Sequence, residues 1–142
     1  MTTLEKIKQA RQVLILDHIF YGSKAMRLDL IEKIGYGTLA TDGKCILYDP
    51  AYLDSLNNAE RIGILAHEVL HVTLLDHIRR GNRDLALWNI ATDYRINLIL
   101  IKDRFILPDG MLLDSRFEGL SAEGIYDILK QEKQEKQEKQ EG

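Results

Sequence analysis

His67-Glu68-Val69-Leu70-His71 sets two imidazoles and a carboxylate inside a run, Ile62 to Leu75, that is otherwise uncharged. Residues four apart share one face of an α-helix, so His67 and His71 can aim ring nitrogens at a single ion. Glu68 sits one position on, where its carboxylate can reach a water bound to that ion and act as general base. The pentad is therefore the signature of a zinc site. The competing reading has both as core histidines hydrogen-bonded to backbone or a solvent rim. Against it, burying three such polar groups without a cation costs about 1–3 kcal/mol for each one left unpaired.

A catalytic zinc generally takes three protein ligands and keeps a position open for water, so a third ligand is needed. Cys45 is the chain's one cysteine, which excludes Cys-rich zinc binding and an internal disulfide and leaves His and carboxylate as ligands. His77 lies ten positions after His67, but if the helix runs on, it points roughly 80–120° away from the pair. The stronger candidate is Asp93. With Asn89 and Asn97 it forms a polar stripe at four-residue spacing on an otherwise apolar segment, Trp88 to Asn97. The stripe is either a solvent face or an inward one. Its short Asn, Thr and Asp side chains, in place of Lys, Glu and Arg, favour the inward reading. Asn97, one turn beyond Asp93, is then placed to hydrogen-bond a ligand imidazole and fix its tautomer. Tyr94 and Arg95 are weaker candidates for stabilising an oxyanion. His18, on the first helix, reads as a packed core histidine.

These residues need elements to hold them. Apolar residues at helical spacing from Leu4 to Phe20 predict a first helix, closed by Gly22-Ser23. Leu28 to Ile34 is ambiguous between strand and helix. Asp42-Gly43 between Thr38–Thr41 and Lys44–Tyr48 predicts a hairpin with a two-residue turn. A short helical turn follows at Ala51 to Leu56. Asn57 with Glu60 is a capping box that starts the motif helix near Ala59 and lets it run to about His77. A further long helix is expected from about Asp84 to Ile101, and Ser121 caps a last one through Lys130.

The chain of 142 residues is read as one domain, residues 1–130, followed by a Gln-Glu-Lys repeat over 131–142 that is a solvated helix or disordered. A formal net charge of -3 and the lack of a basic tract set nucleic acid aside as a partner. No apolar stretch approaches the roughly 20 residues that span a bilayer, and the start lacks the segments of a secretory signal. The expectation is a cytoplasmic protein without a membrane partner; oligomeric state is not legible.

The HExxH pentad, followed on a later helix by a carboxylate ligand and a supporting polar residue four positions on, resembles the gluzincin plan in an aspartate-ligated form. Its spacing to His77 matches the metzincin pattern HExxHxxGxxH, except that Leu74 stands where that pattern has glycine. More widely, the runs Leu39 to Gly43, Leu65 to His71, Trp88 to Asn97, Pro108 to Gly110 and Gly119 to Tyr126 resemble the putative metallopeptidase domain of bacteria and phages. The match runs from Leu4 to Leu129 in order. In many such relatives the domain precedes a von Willebrand A-type domain. This sequence lacks a DxSxS metal motif and ends where that domain begins, so a stand-alone domain without adhesion-type function is expected.

The resemblance implies an α+β, minimal zincin-like fold of about four helices with a small antiparallel sheet or hairpin beside the motif helix. In a zincin that neighbouring strand lies along the cleft, where an extended peptide can add to it. The reading is a zinc metallopeptidase: His67, His71 and Asp93 hold Zn2+, and Glu68 is the general base for water attacking a peptide or protein substrate. The alternative is a catalytically silent, zinc-stabilised binding or assembly module. A metal-free helical interaction domain survives only if the pentad is accidental.

Overall fold

The computed structural model describes residues 1–141. Helix α1 (Thr3–Asp17) starts where the Thr2 hydroxyl accepts a hydrogen bond from the Glu5 amide, and it buries Ile7, Ala10 and Leu14 on one face. It stops at His18, whose φ of -142° is not helical, and α2 (Ile19–Ala25) follows directly. Gly22 therefore does not end the first helix. It lies inside the second, where a Cβ would come within 2.5 Å of the Ile15 backbone, and it is what lets the two helices fold against each other. His18 stacks on Phe105 with ring centroids 4.3 Å apart, as a packed core histidine would.

The ambiguous segment after α2 is a strand, β1 (Asp29–Glu32). It pairs in parallel with β3 (Cys45–Tyr48), which in turn pairs antiparallel with β2 (Leu39–Thr41), giving the order β1-β3-β2. The sheet is thus mixed and not purely antiparallel. A tight turn joins β2 to β3, whereas the longer connection from β1 around to β2 brings β1 in alongside β3 in the same direction. The register that pairs Thr41 with Ile46 leaves four residues, 42–45, between the last paired positions of β2 and β3, not two. Only Gly43 takes positive φ, at 95°, because the Asp42 carboxylate accepts hydrogen bonds from the amides of Lys44 and Cys45 and closes the turn itself.

Short α3 (Pro50–Asp54) is capped by Asp49 and leads into α4 (Asn58–Thr73), the motif helix. The expected capping box is present: the Asn57 side chain accepts from the Glu60 amide, and the Glu60 carboxylate accepts from the Asn57 amide. From Gly63 to Leu70 every residue of α4 is buried. A helix enclosed on all sides has to be central, and α4 packs against α1, α2, β2 and the later helix α6 (Leu85–Lys102).

At Gly63 a Cβ would overlap the carbonyl oxygen of Ile106. Gly63→Ala is expected to lower stability by about 1–3 kcal/mol, read from the urea midpoint, since the neighbour is backbone and cannot rotate away.

The motif helix ends earlier than its apolar pattern suggests. Leu75 adopts the left-handed conformation at φ 56°, and a separate turn, α5 (Asp76–Arg79), carries His77. Asp84 then caps α6 by accepting from the Leu87 amide. A 3-10 turn at Ser115–Phe117 precedes α7 (Ala122–Glu141), in which the charged repeat continues the helix with its side chains mostly exposed. Seven α-helices are present among the described residues where about four were expected; α1, α4, α6 and α7 are the long ones. The architecture is α+β. One core lies between α1, α2, the sheet, α4 and the C-terminal half of α6; a second, built on Trp88, Ala91, Phe117 and Ile125, joins α6 to α7. Among the described residues no helix is long and apolar enough to cross a membrane.

Candidate metal centre

The crossing of α4 and α6 brings three donor atoms together. His67 Nε2 and His71 Nε2 are 3.0 Å apart, and Asp93 Oδ1 lies 3.1 Å from the first and 3.0 Å from the second. A tetrahedral ion with bonds of about 2.0–2.1 Å needs donor–donor edges of roughly 3.3–3.4 Å, so slight outward movement is enough to seat one. Among the described residues His67, His71 and Asp93 form a group that could hold a metal ion.

The other ring nitrogens fix which face of each imidazole is offered. The Asn97 amide nitrogen donates to the Leu112 carbonyl at 2.9 Å, so its oxygen is the atom that meets His67 Nδ1 at 2.8 Å. That proton is accordingly on Nδ1. His71 Nδ1 donates likewise to Asp76 Oδ2 at 3.1 Å. With Nδ1 as the donor on both rings, Nε2 is the nitrogen each turns inward, toward the other and toward a carboxylate oxygen. Three electron pairs converging on one point repel unless a cation lies between them.

The electrostatics agree with this donor set. Burial opposes charge on His71, but the carboxylates of Asp76 and Asp93 outweigh it and push its pKa up to about 10 in the ion-free cluster. Burial alone would raise Asp93; its hydrogen bonds to His67 and His71 reverse that and bring it down to about 2. These donors draw positive charge to the point where they meet, which a divalent ion supplies. Burial pushes the Glu68 carboxyl up, against the pull of the two imidazoles.

All four residues face one cavity of about 610 Å³, which the β2 strand, α5 and α6 also line. The polar stripe of α6 is split: Asp93 and Asn97 turn inward, Asn97 completely, and Asn89 is exposed at the cavity. His77 is exposed on the cavity wall, against the hairpin turn at Gly43, and lies outside the three-donor group. No continuing helix turns it away from the pair, because the motif helix breaks at Leu75 and His77 sits on α5. Tyr94 packs edge-on against Phe117 at 5.0 Å in the second core, and neither it nor Arg95 lines the cavity.

Asp76 was not singled out by sequence reasoning. It is buried, fixes His71 through one carboxylate oxygen, and is held in place by the Trp88 indole, which donates to its backbone carbonyl at 2.8 Å. An acidic residue following Leu74-Leu75 was the available signal. It carries meaning only once the backbone is known to reverse at Leu75.

No curated protein and no solved structure gives a significant match to this chain. A family model does. Its description is a putative metallopeptidase domain, which implies a divalent metal and a peptide or protein substrate, and it matches residues 2–142. With that match spanning nearly the whole sequence, the chain belongs to the putative metallopeptidase domain family.

Proposed function

We propose that this chain is a zinc-dependent peptidase in which His67, His71 and Asp93 are the metal ligands and Glu68 is the general base. The observation that carries the reading is the meeting of three lone-pair donors, all within 3.1 Å of one another, in a cavity that Glu68 also lines. Bound there, zinc supplies Lewis acidity: it polarises a scissile carbonyl and lowers the pKa of water at the open position toward about 7.

The remaining work falls to the chain. Glu68, made more basic by burial, takes the proton of the attacking water and returns it to the departing amine. Asn97 and Asp76 hold the two imidazoles in the tautomer that presents Nε2. The strand β2 is at the sheet edge, paired only with β3, and its residues line the cavity, so an extended peptide can align along it by backbone hydrogen bonds. Residues 1–130 form the peptidase domain in this reading, and the repeat from 131 onward carries no chemistry.

The test is metal content and peptide cleavage measured on the same preparation. About one equivalent of zinc together with hydrolysis across a peptide library supports the reading. Less than about a tenth of an equivalent, not restored by added zinc, would end it. A protein that holds zinc but cleaves no peptide would be the silent binding module instead.

Asp76→Ala and Asn97→Ala are each expected to weaken zinc binding about 10- to 100-fold, measured by competition with a chromophoric chelator. Loss of an imidazole's outer partner frees the ring to rotate and change tautomer.

A further inference from the structure

We propose that Arg80 makes the peptidase selective for substrates carrying a carboxylate close to the scissile bond. This rests on the peptidase reading above. Arg80 caps the short helix α5 and lines the catalytic cavity half-buried. It is the one Lys or Arg among the residues lining that cavity.

Its neighbours show what a structural arginine looks like here. Arg79 is ion-paired with Glu123, and Arg83 lies over the rings of Trp88 and Tyr126 at 5.3 and 5.8 Å. Arg80 has no such arrangement. Among the described residues no carboxylate lies within ion-pair distance of it and its guanidinium makes no hydrogen bond. The cavity's three carboxylates, Glu68, Asp76 and Asp93, belong to the metal end. None of them is paired with Arg80, so its cationic fork with five donors is left at the wall of the space a substrate enters. A planar carboxylate is the group that satisfies such a fork, through paired charge-assisted hydrogen bonds.

That carboxylate has two possible sources, an acidic side chain or the free C-terminus of the peptide. The experiment uses zinc-loaded protein and matched peptides bearing Glu or Gln beside the cleaved bond, each with a free or an amidated C-terminus. Binding is measured by calorimetry on Glu68→Gln protein, and cleavage on wild type. Carboxylate peptides are expected to bind and to be cleaved at least about tenfold better than their neutral partners. A preference that follows Glu over Gln identifies the side chain as the source, and one that follows free over amidated ends identifies the terminus.

Arg80→Gln is expected to abolish the preference mainly through KM, Arg80→Lys to restore part of it, and Arg80→Glu to shift it toward Lys-bearing peptides. An equal loss across all peptides, or no difference between carboxylate and neutral peptides in binding, would overturn the proposal. Absence of cleavage with Arg80-dependent carboxylate binding intact would sink the peptidase reading alone.

Discussion

Glu68→Gln is expected to lower the turnover of peptide cleavage by about 10²- to 10⁴-fold while the protein keeps its zinc and its fold. Glu68 is buried on the central helix α4, and burial already pushes its carboxyl toward the neutral form. A neutral amide of the same shape consequently meets little resistance, and thermal stability is expected to hold or rise slightly. The ability to take a proton is what disappears. Because Glu68 is outside the three-donor group, zinc stoichiometry is expected to stay at about one equivalent. Steady-state kinetics on the zinc-loaded variant, with metal analysis of the same sample, checks both halves. A variant that retains full turnover removes Glu68 from the chemistry; one that loses its zinc shows that the residue is needed to build the site.

The second large effect concerns the metal itself. Asp93→Ala removes one of three converging donors and is expected to cost most of the zinc affinity, whereas His77→Ala, on a residue outside the group, leaves it nearly unchanged. Zinc that binds only the folded chain stabilises it by mass action, about 2.7 kcal/mol at a hundredfold excess over Kd. For a chain of this size that raises Tm by roughly 10 °C. Chelation should take that increment away from wild type, and Asp93→Ala should behave as chelated protein does with or without zinc. Calorimetric scans with and without a chelator measure it. Equal loss of zinc from His77→Ala and Asp93→Ala would mean that the ion sits elsewhere in the cavity.

Much of the frame was readable in the chain. The Asn57–Glu60 box and the Ser121 cap mark helix starts by short-range chemistry, since each satisfies amides within three residues. The hairpin follows from Asp42 and Gly43 for the same reason, though the closing of its turn by the Asp42 side chain leaves four residues between the paired Thr41 and Ile46 where a two-residue turn was expected. What the sequence left open or misjudged depended on distant partners. The strand character of Asp29–Glu32 comes from pairing with Cys45–Tyr48, and the kink at His18 from the contact between Gly22 and Ile15.

The motif helix illustrates the limit best. Its apolar run continues past Thr73, and periodicity has no means of showing that Leu75 adopts a left-handed conformation there. That one backbone reversal sends Asp76 inward to His71 and leaves His77 and Arg80 on the cavity wall.

Helical period and residue type were enough to put His67 and His71 on one face with Glu68 beside them, and to mark Asp93 and Asn97 as one face of another helix. Those are relations within a single helical segment, governed by backbone geometry. The meeting of His67, His71 and Asp93 belongs to a different scale, because it depends on how α4 and α6 cross, and side chains packed along their whole lengths set that crossing. The same holds for Asp76 and Arg80, whose positions follow from a reversal no local pattern encodes.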